Sequence, residues 1–103
     1  MVPPGEARVK LVVPKRAAAA VIGPQGSTQK QIKAETNVNV RVDNNSIPCG
    51  DDLFEQAVFL YGPMANLRPA IGQVIQEVDN FSGETWFDAW AGHSNAGIVI
   101  PGL

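Results

Sequence analysis

Cysteine and histidine each occur once in this chain, at Cys49 and His93, and there is a single tyrosine, Tyr61. One cysteine excludes an internal disulfide. One histidine, with no Cys/His cluster and no Ser-His-Asp order, provides neither a usual set of metal ligands nor a nucleophilic triad. The adjacent acids Asp51 and Asp52 lie in a glycine-containing loop, where such pairs are ordinarily solvated. No apolar run approaches the length of a membrane span, and no secretory leader is visible. The expectation is a non-enzymatic protein without cofactor or metal, placed in a reducing intracellular compartment, cytoplasmic and/or nuclear.

Positive charge is scarce over most of the chain. Residues 44–103 hold one base, Arg68, against seven acids, whereas residues 1–43 hold Arg8, Lys10, Lys15, Arg16, Lys30, Lys33 and Arg41 against three. The overall net charge of −2 argues against a protein that wraps nucleic acid. The uneven distribution, +4 then −6, leaves room for a local anion-binding surface in the first part.

With 103 residues and 45% hydrophobic content, the chain has enough apolar material for one small core. Val9, Leu11 and Val13 alternate with Arg8, Lys10 and Val12, and Val38, Val40 and Val42 alternate with Asn39, Arg41 and Asp43, the period of half-buried strands. Glu55 to Tyr61 reads as a third strand bounded by Gly62-Pro63. Leu67, Ile71, Val74, Val78 and Phe81 recur at helical steps, giving a stripe able to cover a sheet. Pro69 places the start of that helix near itself, because a proline inside a helix removes an amide and clashes with the preceding turn.

Between the first two strands, an alanine run, Ala17 to Ala20, favours a short helix that Gly23 and Pro24 stop. A second helix is expected from Gly26 to about Thr36, with Ser27 or Thr28 as its cap. The Gly-x-x-Gly turn, Gly23-Pro24-Gln25-Gly26, has little side-chain bulk and leads into a helix N-terminus with unpaired N–H groups. A phosphate can approach such a backbone closely.

Gly-x-x-Gly alone is common, and its flanks make it specific. Val13-Pro14, Val21-Ile22 before the loop, Lys30, Ile32, Thr36 and the strand Val40-Arg41-Val42 stand in one register. In this arrangement the chain resembles a type I K-homology (KH) domain over about residues 8–80, with only Gln29 breaking the apolar pattern. The resemblance implies an α+β fold of order β-α-α-β-β-α: a three-stranded antiparallel sheet with three helices on one face. Residues 81–103 then form a C-terminal extension, packed back or in an oligomer interface.

The resemblance also implies non-catalytic binding of about four nucleotides of single-stranded RNA, or ssDNA, and a role in post-transcriptional regulation. Gly23, Pro24, Gln25, Gly26 and Ser27 would clamp the sugar-phosphate backbone. Val21, Ile22 and Val40 would form an apolar floor, although core packing accounts for them equally. Lys33 stands where a base-contacting basic side chain is frequent, the Val42 backbone where a base edge is read, and Lys30 and Arg41 add charge. Where the family usually carries a lysine or arginine in the loop, this chain has Pro24 and Gln25, which weakens phosphate attraction there. Lys15, Arg16 and Lys30 are near enough in sequence to compensate. The alternative is a KH-fold protein-interaction or dimerisation module whose degenerate loop binds little nucleic acid.

Trp86, Phe87 and Trp90 crowd the extension. Aromatic groups of that size are rarely left exposed, so they either fold back onto the domain or form a surface for a protein partner, a second copy or stacked bases. Ile98 to Ile100 reads as a short strand able to join a sheet edge, its own or another chain's.

Overall fold

The computed structural model describes residues 5–49, 53–93 and 98–99. Its elements, in chain order, are β1 (Glu6–Pro14), α1 (Lys15–Ile22), α2 (Ser27–Thr36), β2 (Asn39–Val42), β3 (Ile47–Pro48), β4 (Phe54–Pro63), α3 (Met64–Asp79), α4 (Thr85–His93) and β5 (Ile98–Val99). The β-α-α-β-β-α order of a type I KH fold is therefore present, with β1, β2 and β4 as its three strands.

The sheet is antiparallel with β4 at its centre. β1 pairs along the whole of one side of β4, from Glu6 opposite Pro63 to Pro14 opposite Glu55. β2 pairs on the other side, with Val40 opposite Leu60. Two short strands join this frame: β3 pairs with the start of β4, and β5 pairs with Lys10 and Leu11 of β1. The expected strand near Ile98 thus sits on the edge of its own sheet; Ile100 falls outside the described residues.

Strand alternation separates two faces. Ala7, Val9, Leu11 and Val13 of β1 share one with Val58 and Leu60 of β4 and Val40 of β2, all buried. α1, α2 and α3 cover that face, contributing Ala17, Ala18, Val21, Ile32, Leu67, Ala70, Val74 and Val78 to the same core. Ile71 is only partly buried, and Ala70 takes the place on the stripe that the sequence pattern gave it.

α3 begins at Met64 rather than near Pro69, which lies inside the helix. Interior proline costs on the order of 3 kcal/mol. The extra turn offsets this by burying Leu67, 5% exposed, and complete burial of a leucine contributes roughly 1.5–3 kcal/mol. α2 also starts differently from expectation. Its N-cap is Gly26, in the left-handed region, and neither Ser27 nor Thr28 caps it, because Ser27 is already the first helical residue.

The end of α2 shows what Thr36 does. Its hydroxyl donates to the Ile32 carbonyl at 2.6 Å and accepts the Val38 N–H at 3.3 Å. Asn37, at φ 58, then turns the chain into β2.

The extension folds back on the domain. Phe81, Trp86, Phe87 and Trp90 form a ladder of tilted rings with successive centroids 5.5, 5.9 and 5.2 Å apart. Trp90 is buried, and Phe81, Trp86 and Phe87 pack partly buried against the core. The Trp90 indole N–H donates to Oε2 of Glu55 at 2.7 Å. Glu55 alternates with Phe59 and Tyr61 along β4, so α4 covers one end of the sheet face that α1–α3 leave free.

Candidate nucleic-acid interface

The turn from α1 to α2 is a left-handed backbone knot. Gly23, Gln25 and Gly26 have φ of 74, 55 and 76. The turn is held by Gly23 N–H to the Ala19 carbonyl at 3.0 Å and Gly26 N–H to the Gly23 carbonyl at 3.1 Å. At Gly23 glycine is obligatory on two counts: positive φ, and a Cβ that would lie 2.5 Å from Thr28 Oγ1 and 2.8 Å from Thr28 N. Gly26 meets only the conformational constraint, since the nearest atom to its Cβ position is Lys30 Cε at 3.8 Å. Pro24 and Gln25 are exposed at the tip.

That proximity of Lys30 answers the missing loop base. Its Cε lies beside Gly26, and the residue belongs to the first turn of α2, whose N-terminus has no side-chain cap. The Ser27 amide is taken by the Pro24 carbonyl, and the partial positive charge of the helix N-terminus and one lysine converge there. Lys15 and Arg16 are occupied elsewhere: Lys15 Nζ sits 5.8 Å from the Phe54 ring and Arg16 5.2 Å from the Trp86 ring, at the opposite end of α1 from the loop.

Across from α2, β2 is the outermost strand of its side of the sheet. Asp43 N–H bonds to the Ala57 carbonyl of β4 at 2.9 Å. By the alternation of an antiparallel ladder, the Val42 N–H and C=O turn the other way, to the free edge. The Gln29 side-chain amide donates to the Val40 carbonyl, bridging α2 to this edge one step along. The polar residue that interrupts the apolar pattern thus stitches helix to strand beside the loop.

The structure sorts the residues expected at the site. Gly23, Pro24, Gln25, Gly26, Ser27 and Lys30 are gathered at one corner, with Ile22 and the Val42 edge partly accessible. Lys33 is exposed further along α2, its ammonium donating to Asn37 Oδ1 at 3.1 Å. Val21 is fully buried and Val40 is 5% exposed; both are core residues with little or no surface to present as a floor. Arg41 lies on the opposite sheet face, 5.1 Å from the Phe59 ring, and is not brought to Lys30. Gln29 also belongs to this corner through its bond to the Val40 carbonyl, and its polarity at an apolar motif position is the signal for it in the sequence.

Cys49, the lone thiol, is buried, and its amide donates to the Leu53 carbonyl at 3.0 Å. Burial, and then the neighbouring Glu55, push its pKa up, which suppresses the thiolate form. Asp51 and Asp52 fall outside the described residues. Among the described residues, no group of three or more His, Cys, Asp or Glu is placed to hold a metal ion, and no helix is long and apolar enough to cross a membrane.

Compared with known protein families, residues 8–76 match the KH domain. No curated protein matches the chain.

Proposed function

The chain belongs to the KH domain family of nucleic-acid-binding modules, and from that premise we propose that it binds single-stranded RNA, or ssDNA, without catalysis. About four nucleotides would lie along the corner between the Gly23–Gly26 loop, α2 and the edge of β2. The observation that carries this reading is the loop itself. Its bare, left-handed backbone leads directly into a helix N-terminus that no side chain caps, with Lys30 alongside.

In this reading a phosphate is held by the amides at the start of α2 and by Lys30, while Gln25 donates from its side-chain amide. Ile22 supplies apolar contact to bases, and the Val42 backbone N–H and C=O read a base edge. Lys33 contributes a second cation. Few charges take part, so binding is weak for an isolated domain, and its place of action is the cytoplasm and/or nucleus, where transcripts are found.

Fluorescence anisotropy with a pool of short single-stranded RNAs tests the reading. Saturable binding weakened by salt and removed by Pro24→Asp with Gln25→Asp supports it. Binding indifferent to the loop substitutions overturns it.

A further inference from the structure

The sheet face turned away from α1–α3 is covered over only part of its length. At one end Trp90 lies against Glu55, and Ala57 is 4% exposed. At the other end Phe59 and Tyr61 remain partly accessible. They line a recess of about 370 Å³ together with Arg8, Asn39, Arg41 and Leu60. Arg8 lies 5.7 Å from the Tyr61 ring, and Arg41 5.1 Å from the Phe59 ring. Lys10, opposite Phe59 in the register, belongs to the same face.

This half-open face carries three of the chain's eight bases; the acids on the same face are Glu6, which accepts the Tyr61 phenol hydrogen bond, Asp43, next after Arg41 in the alternation, and Glu55 at the end that Trp90 covers. Phe59 and Tyr61 are two residues apart on one strand face, so their Cα atoms stand about 6.6–6.8 Å apart along it. Arg8 and Arg41 lie over the Tyr61 and Phe59 rings, and unpaired bases stack on such layered guanidinium and aromatic planes while cations meet the phosphates. A protein partner's apolar surface would gain little from a recess ringed by Arg8, Lys10 and Arg41.

We propose that this face is a second contact for single-stranded nucleic acid, stacking bases that flank the segment held at the Gly-x-x-Gly loop. β2 is the shared element: its free edge is bridged by Gln29 to α2, three residues past the loop, and Arg41 and Asn39 belong to the sheet face away from the helices. A strand leaving the loop corner passes around that edge onto Phe59 and Tyr61. The inference rests on the proposed function and extends it from about four nucleotides to a longer footprint.

The test compares a tetranucleotide pool with a decanucleotide pool of random sequence on the full chain. Phe59→Leu with Tyr61→Leu keeps apolar bulk and removes the rings. It should weaken decanucleotide binding by at least about fivefold and leave tetranucleotide binding unchanged. Arg8→Gln should act in the same direction without altering the core. In the unsubstituted protein, the ring resonances of Tyr61, the single tyrosine, should shift with the decanucleotide and not with the tetranucleotide. Intact tetranucleotide binding with no length-specific loss and no Tyr61 shift overturns the second contact alone. No tetranucleotide binding at all overturns the loop reading first. A dimer abolished by the Phe59/Tyr61 substitutions would make the face a self-association surface and also overturn the proposal.

Discussion

Trp90 and Glu55, 35 residues apart, are joined by a 2.7 Å hydrogen bond from the indole N–H to a carboxyl oxygen with no solvent exposure. The bond fastens α4 to the end of β4 and makes the extension part of the fold. Trp90→Phe keeps most of the ring area and removes the donor. The expected outcome is a loss of about 1–3 kcal/mol in stability, read by urea denaturation. Ala89→Ser, on the exposed side of the same helix, should change it little.

The two loop glycines should respond differently. Gly23→Ala places a Cβ into Thr28 as well as into left-handed backbone, so it should cost at least about 1–3 kcal/mol. Gly26→Ala has space and bears only the conformational cost, about 1–2 kcal/mol. Thermal unfolding of the two variants should rank them in that order.

Lys30 and Lys15 are both exposed lysines flanking the same helix-turn-helix, but only Lys30 lies against the loop. Lys30→Ala should reduce the slope of log affinity against log salt by about 0.7, the value for one single-strand phosphate contact. Lys15→Ala should leave the slope unchanged. Equal effects would mean that the loop corner is not where phosphate is held.

Tyr61 titrates above its ordinary 10.0, first because its phenol donates to Glu6, then because of partial burial. A raised folded-state pKa contributes stability below the unfolded-state value and loses it as pH rises through the folded-state one. Stability should therefore fall on the alkaline side, and Glu6→Gln should move the phenolate absorbance transition to lower pH. Cys49 has the same sign, since burial and Glu55 raise its pKa. At neutral pH the folded protein should react with thiol reagents far more slowly than the unfolded chain.

Much of this was legible in residue order. The alternation in β1 and β2 and the loop glycines each state a local requirement that tertiary packing reinforces. The start of α3 was not legible, because Gly62, Pro63 and Pro69 all read as breakers, while the burial of Leu67 against the sheet decides the boundary. Residue type points to Ser27 or Thr28 as the cap of α2, yet the left-handed Gly26 takes that position. The family resemblance sets Arg41 beside Lys30, although strict alternation with Val40 and Val42 already places it on the other face. The Gln29–Val40 bridge depends on an α2–β2 approach that residue types alone do not specify.

The most direct measurement is an NMR titration of the isotope-labelled chain with a pool of short single-stranded RNAs, repeated on Pro24→Asp with Gln25→Asp. The account predicts amide shifts concentrated at Ile22 to Lys33 and at Val42, lost in the loop variant while its spectrum remains folded. Shifts that persist in that variant, or an unchanged wild-type spectrum at saturating RNA, would contradict it.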